Sequence, residues 1–147
     1  MRAVIQKVNA ASVEVDGKLV SSIEKGLLVL VGIERQDTPK DSEYLVRKIL
    51  NLRIFDDQEK FLDKSVQDLS LEVLLVSQFT LYGSCKKGNR PSFDKAMPPK
   101  EAKVFYQDFV EKFKQNYFKV KDGIFGAYMQ VSLVNDGPVT IILDSCR

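Results

Sequence analysis

The run Leu27-Leu28-Val29-Leu30-Val31, held between Gly26 and Gly32, constrains the fold more than any other stretch of the chain. Polar and apolar residues do not alternate in it, so neither face can rest in water. It reads as a short strand buried on both faces, near the centre of a sheet. Residues 3–8 do alternate, and Ser12-Val13-Glu14-Val15 alternates again before Asp16-Gly17, a pair suited to the positive φ angles of a type I′ turn. An N-terminal strand followed by a hairpin is expected there. Thr38 and Pro39 supply an N-cap and a first-turn proline, and Leu45, Val46, Ile49 and Leu52 then recur at helical spacing, which predicts a helix over 39–51.

Arg53-Ile54-Phe55 is expected to form a short strand, and an irregular stretch leads from it to Glu72-Val73-Leu74-Leu75-Val76-Ser77-Gln78, an apolar strand that ends in polar groups. Gly83, Gly88, Pro91, Pro98 and Pro99 keep residues 83–99 from regular structure, and Lys86, Lys87 and Arg90 make the stretch a long basic loop. Ala102, Phe105, Tyr106, Phe109, Val110 and Phe113 lay one apolar stripe along residues 100–117. That is an amphipathic helix whose aromatics pack on the sheet rather than build a site. Residues 127–133 and 139–143 read as two strands around the turn Asn135-Asp136-Gly137-Pro138. The fold class is therefore α/β: one domain over residues 1–147, its mixed sheet partly rolled into a barrel-like or two-layer arrangement, with two main helices on one face.

Composition narrows the chemistry. A chain of 147 residues buries roughly 68–70% of the surface its unfolded form exposes, so no disulfide or metal staple is required. Cys85 and Cys146 have no ligand spacing and read as two free thiols of an intracellular chain. Met1-Arg2-Ala3 opens directly into the first alternating pattern, with no apolar run long enough for a signal peptide or a membrane span, and a cytosolic location is expected. A net charge of +2 rules out a uniformly basic coat, so any contact with a polyanion must come from a local cluster. The chain has no histidine. Ser-His-Asp and Cys-His catalysis and imidazole zinc sites are thereby excluded.

Three constellations remain. Ser77-Gln78-Phe79-Thr80 places two hydroxyls and an amide at the end of a buried strand. On the residues alone this is either a site or a solvated strand exit, with no Gly-x-Ser-x-Gly elbow and no base in the sequence nearby. Strand alternation puts residues 78 and 80 on one face and 77 and 79 on the other, so Ser77 and Thr80 share a pocket only if the strand bends. Gly137-Pro138 reads as an ordinary turn, and Lys86, Lys87 and Arg90 as either a solvated loop or a grip on phosphates.

Taken together these pieces say more. Val76-Ser77-Gln78-Phe79-Thr80-Leu81 and Asn135-Asp136-Gly137-Pro138-Val139-Thr140, with the opening Met1-Arg2-Ala3-Val4-Ile5-Gln6 and the run Gly123-Ile124-Phe125-Gly126-Ala127-Tyr128-Met129, resemble the D-aminoacyl-tRNA deacylase family along essentially the whole chain. Lys48-Ile49-Leu50-Asn51-Leu52-Arg53 and Arg90-Pro91-Ser92-Phe93 are also similar to its members. The resemblance implies a homodimer that hydrolyses the ester between a D-amino acid, or misplaced glycine, and the terminal adenosine of tRNA, without metal or cofactor. It implies that Ser77, Gln78, Phe79 and Thr80 form the catalytic floor and that a cis Gly137-Pro138 reaches in from the partner. Phe125 and Met129 are then candidate walls, and Lys86, Lys87 and Arg90 candidate contacts to tRNA. The family usually reads Gln-Arg-Val where this chain has Gln6-Lys7-Val8, and lysine lacks the planar donor fork of arginine.

With no imidazole, the substrate's own 2′-hydroxyl is the expected helper, and backbone N–H groups of Phe79 and Thr80 the expected oxyanion donors. Thr80 as a covalent nucleophile is the rival mechanism. A non-enzymatic RNA-binding module, working through the loop 83–99, is the rival function.

Overall fold

In a computed structural model that describes residues 1–57 and 60–145, strand β3 (Gly26–Gly32) lies between β1 (Arg2–Val15) and β4 (Glu72–Ser77). It runs antiparallel to β1, from Arg2 opposite Gly32 to Val8 opposite Gly26, and parallel to β4, with Gly26 opposite Glu72 and Val31 opposite Ser77. The hairpin mate of β1 is β2 (Lys18–Ile23), joined through Asp16 and Gly17 at φ 50° and 72°, the two positive values a type I′ turn demands. Beyond β4 lies a short parallel strand, β5 (Val120–Asp122). Strand β6 (Met129–Asp144) pairs antiparallel with β1 over nearly its whole length, from Val15 opposite Met129 to Arg2 opposite Asp144.

The period of two along the strands divides the core into two layers. Ala3, Ile5, Leu27, Val29, Val31, Val73 and Leu75 face the helices, meeting Leu45 and Ile49 of α1 (Pro39–Leu50) and Phe109 and Phe113 of α2 (Pro99–Asn116). Val8, Val13, Ile23, Leu28, Leu74 and Val76 pack together on the other face, inside the curl of the sheet. Both faces of β3 are thus occupied, which is why its sequence shows no alternation. The curl brings the edges β2 and β5 together: Ser21 Oγ donates to the Asp122 carbonyl at 3.0 Å and Lys121 Nζ to the Ser22 carbonyl at 2.6 Å. The result is a mixed sheet nearly closed into a barrel, with two helices packed on its outer face.

Helix α1 begins as its sequence predicts. The Thr38 amide and hydroxyl both donate to Asp41 Oδ2, each at 2.8 Å, which fixes the first turn. Two other expectations are corrected. Residues 53–55 do not make a strand; Phe55 forms a single bridge with Lys64, because its ring is drawn into the core and ladder pairing stops there. The two strands expected after residue 127 are one strand. Gly137-Pro138 does not reverse the chain, and the segments before and after it pair with the same neighbour, β1. Cys85 is exposed and free, while Cys146 lies outside the described residues. Among the described residues no helix is long and apolar enough to cross a membrane.

Candidate active site

Strand β4 ends at Ser77, where the chain bends out of the sheet. The Gln78 amide still donates to the Val31 carbonyl at 2.7 Å, but Gln78 has φ −145° and ψ 82°, and Phe79–Tyr82 winds into one turn of 3₁₀ helix. This is the bend that Ser77 and Thr80 need in order to approach one site. Gly32, at the end of β3, leaves room for it: a Cβ there would stand 3.1 Å from both the Gln78 carbonyl oxygen and Leu81 Cβ. The opening amides of a helical turn have no carbonyl to bond within it. Among the described residues the Phe79 and Thr80 amides have no other acceptor, so both N–H groups are available. The Gln78 side-chain amide donates to the Thr80 hydroxyl, which occupies a lone pair of Oγ1 and leaves its proton free to donate.

Phe79 is 58% exposed and is held by Phe93, whose ring meets it edge-on at 5.0 Å. Phe93 follows a small bridged loop: Ser84 and Ser92 exchange both backbone hydrogen bonds, at 2.8 and 2.9 Å. Lys86, Lys87 and Arg90 lie between those serines, exposed, and none has an ion-pair partner among the described residues. The basic loop is therefore tied directly to the strand-end turn.

Gly137 and Pro138 sit on β6 and are exposed; the bond between them is cis and Gly137 has φ +115°. Between Gln6 opposite Thr140 and Val8 opposite Asn135, two steps along β1 face five along β6, so residues 136–139 bulge out of the ladder over Lys7. The Lys7 side chain is 6% exposed. Its ammonium lies 3.6 Å from Asp136 Oδ2 and 3.7 Å from Asp56 Oδ2, and 6.0 Å from the centre of the Phe55 ring. The lysine thus reaches the residue just before the Gly137-Pro138 pair, and Asp56 is a partner that nothing in the sequence signalled.

Within one chain the two motifs are far apart. Lys7 is level with Leu27 and Val73, whereas Ser77 is level with Val31 and Ala3, four residues farther along the sheet. Strands β1 and β3 also intervene between β6 and β4. With about 3.3 Å per residue and about 4.8 Å per strand, the separation is on the order of 20 Å. The candidate walls divide as well. Phe125 packs in the helix-side layer, its ring 5.7 Å from that of Tyr106, while Met129 packs in the inner layer, against which Gly123 gives it space. Gly123 donates to the Leu75 carbonyl at 2.9 Å, so the segment carrying both leaves the sheet beside the end of β4. Burial pushes the Tyr106 phenol well above its ordinary pKa, so it stays protonated, and its hydroxyl has no partner among the described residues.

A family profile described as D-Tyr-tRNA(Tyr) deacylase matches residues 4–144. The chain belongs to that family. A D-aminoacyl-tRNA deacylase of Thermosipho melanesiensis is 56% identical over 146 residues, covering 99% of this chain and 97% of that one. One of Thermodesulfovibrio yellowstonii is 52% identical, covering 99% of each. A solved structure titled c-Myc DNA Unwinding Element Binding Protein is 52% identical, with a TM-score of 0.94 and 98% of each chain covered. A probable eukaryotic D-amino acid tRNA deacylase, 18% identical, has a TM-score of 0.81 over 97% of each chain, which speaks for the deacylase fold.

Proposed function

We propose that the chain works as a cytosolic homodimer that hydrolyses the ester between a D-amino acid and the terminal adenosine of tRNA, releases glycine as well, and spares L-aminoacyl-tRNA. Membership of the deacylase family supports the hydrolysis. The observation that carries the mechanism is the strand-end turn, with two amides that have no acceptor among the described residues and a threonine hydroxyl already engaged by Gln78. An oxyanion forming on the ester carbonyl meets the Phe79 and Thr80 N–H groups, each such donor contributing about 2.7–4 kcal/mol. No histidine is available to deprotonate Thr80, and its hydroxyl is better set to donate than to attack. The vicinal 2′-hydroxyl of the ribose, held close, supplies the assistance that side chains do not, and positioning of this kind is worth roughly 7–11 kcal/mol.

The separation of the two motifs favours a site shared between subunits. Strand β6 pairs with β1 on one edge and carries Val134 and Ile142, 57% and 64% exposed, on the same strand as Gly137 and Pro138. A second copy covering β6 would bury these side chains and bring its own Gly137-Pro138 toward the Ser77–Thr80 turn. Selectivity then comes from exclusion. Pockets that discriminate by side-chain shape yield only about 1–3 kcal/mol, too little for an enzyme that accepts many D side chains and no L ones. Backbone occupying the volume of an L side chain rejects all of them at once, and lets glycine pass.

The test is single-turnover deacylation of D-Tyr-tRNA and L-Tyr-tRNA by wild type and Thr80→Ala. Wild type is expected to release only the D-amino acid, and Thr80→Ala to slow by about tenfold or less, as one hydrogen bond is lost, while staying well above spontaneous hydrolysis. A Thr80→Ala rate equal to spontaneous hydrolysis would make Thr80 the nucleophile, and binding without D-selective release by wild type would leave only an RNA-binding module.

A further inference from the structure

A cleft of about 450 Å³ opens beside the strand-end turn, between the ends of β1 and β6 and the basic loop. Gly83 forms part of its wall and donates to the Thr80 carbonyl at 2.9 Å, so the cleft and the candidate oxyanion donors belong to one continuous turn. Its charges fall into two groups. Arg2 is committed: its guanidinium bonds both oxygens of Asp144 at 3.0–3.2 Å and the Leu81 carbonyl at 3.2 Å, and lies 5.4 Å over the Tyr82 ring. The hydrogen bond to Asp144 raises its pKa above the ordinary value, and Glu34 adds to the effect. Lys86 and Lys95 have no ion-pair partner among the described residues, though both line the same cleft.

The two lysines stand on separately anchored backbone. Lys86 follows the Ser84–Ser92 bridge. Lys95 lies in a segment strapped to the exit of β3: its carbonyl accepts from the Arg35 amide at 3.0 Å, Arg35 Nε donates to the Asp94 carbonyl at 2.8 Å, and Ala96 bridges Glu34. An anion entering between them meets two ammonium groups whose main chains are already ordered, which lowers the entropy lost on binding. Three cations against two carboxylates leave the cleft one positive charge in excess, matched to a singly charged phosphodiester.

We propose that this cleft seats the phosphodiester and nucleotide immediately upstream of the terminal adenosine, with Lys86 and Lys95 flanking the phosphate. This rests on the deacylase reading above and adds to it a binding register: the ester lies at Phe79 and Thr80, and the preceding nucleotide lies past Gly83. Because phosphate contacts position rather than react, the lysines should affect capture and not chemistry.

The experiment compares three substrates: D-tyrosyl-adenosine, which has no phosphate, D-tyrosyl-CpA, which has one phosphodiester, and D-Tyr-tRNA. Wild type is expected to cleave the CpA ester with higher kcat/KM than the adenosine ester. Lys86→Gln and Lys95→Gln should each lower that advantage about threefold to fivefold through KM, the range of exposed ion pairs, and leave the adenosine ester untouched. Their thermal melts should match wild type. An equal kcat/KM for the two small esters in wild type, or an equal loss on both in the variants, overturns the cleft assignment. If wild type cleaves none of the three, the deacylase reading fails. The cleft is then decided by chemical-shift titration with uncharged CpA, where binding weakened in the double variant supports it and no difference sinks it.

Discussion

Lys7 is an ammonium almost withdrawn from water, yet its two carboxylate partners keep much of their solvent contact and stand at 3.6–3.7 Å. At those distances the pairs add about 0–1 kcal/mol, and burial of the ammonium works against them. Stability is therefore a poor reason for the residue. Its place 3.6 Å from Asp136, next to Gly137, is a better one, and the prediction that follows from it is that Lys7 positions the bulge. Lys7→Met should leave the unfolding free energy within about 1 kcal/mol of wild type but lower the single-turnover rate on D-Tyr-tRNA by about tenfold to a hundredfold, since small displacements of a positioned group are that expensive. Lys7→Arg should restore the rate, its planar fork being able to reach both carboxylates. Full activity in Lys7→Met, or an equal deficit in Lys7→Arg, would remove Lys7 from the positioning of the bulge.

At the scale of elements, β3 carries two glycines with different duties. A Cβ on Gly26 would lie 1.9 Å from the Glu72 carbonyl oxygen, a backbone atom at the start of the β3–β4 ladder. A Cβ on Gly32 would meet Gln78, Leu81 and Tyr82 at 3.1–3.2 Å, a crowding that the strand-end turn can relieve by moving. Gly26→Ala should thus disrupt the parallel pairing and lose more than about 3 kcal/mol of stability. Gly32→Ala should lose about 1–3 kcal/mol while its single-turnover rate falls disproportionately. Denaturant melts and single-turnover rates on the same preparations check this, and a Gly32→Ala enzyme with normal turnover would detach the turn's exact placement from catalysis. The elements also show what a sequence conveys. The unalternating run of β3, the capped start of α1 and the aromatic stripe of α2 each follow from local burial, and each stands where the pattern puts it. Val120–Asp122 is only three residues long, below the length at which a period can be read. β6 was legible as strand but not as one strand, because Gly-Pro ordinarily ends pairing, and only the shared partner β1 shows that it does not. In the same way the Ser77–Thr80 motif was legible as a candidate, while the partners of Lys7 and the grip of Phe93 on Phe79 depend on contacts between distant segments that carry no periodicity.

For the whole molecule the decisive quantity is the separation between the strand-end turn and the bulge, on the order of 20 Å within one chain by strand spacing. If one catalytic site needs both, it must draw them from different subunits, and a twofold dimer then holds two such sites. Two variants damage opposite halves. Phe79→Pro deletes one proposed oxyanion donor at the first position of a helical turn, where proline is tolerated. Gly137→Val puts a branched side chain at φ +115°, where a Cβ already stands 2.9 Å from Val139 Cγ2. Each homodimer should be about a hundredfold or more slower on D-Tyr-tRNA. Mixed in equal amounts and allowed to exchange subunits, they form heterodimers in about half of the population, and each heterodimer holds one site with both halves intact and one with neither. Activity should rise to about a quarter of the wild-type value, appear at the rate of subunit exchange, and fade on dilution below the dimer dissociation constant. A mixture that stays as inactive as its parents, although heterodimers are demonstrated by mass, would place each complete site within a single chain.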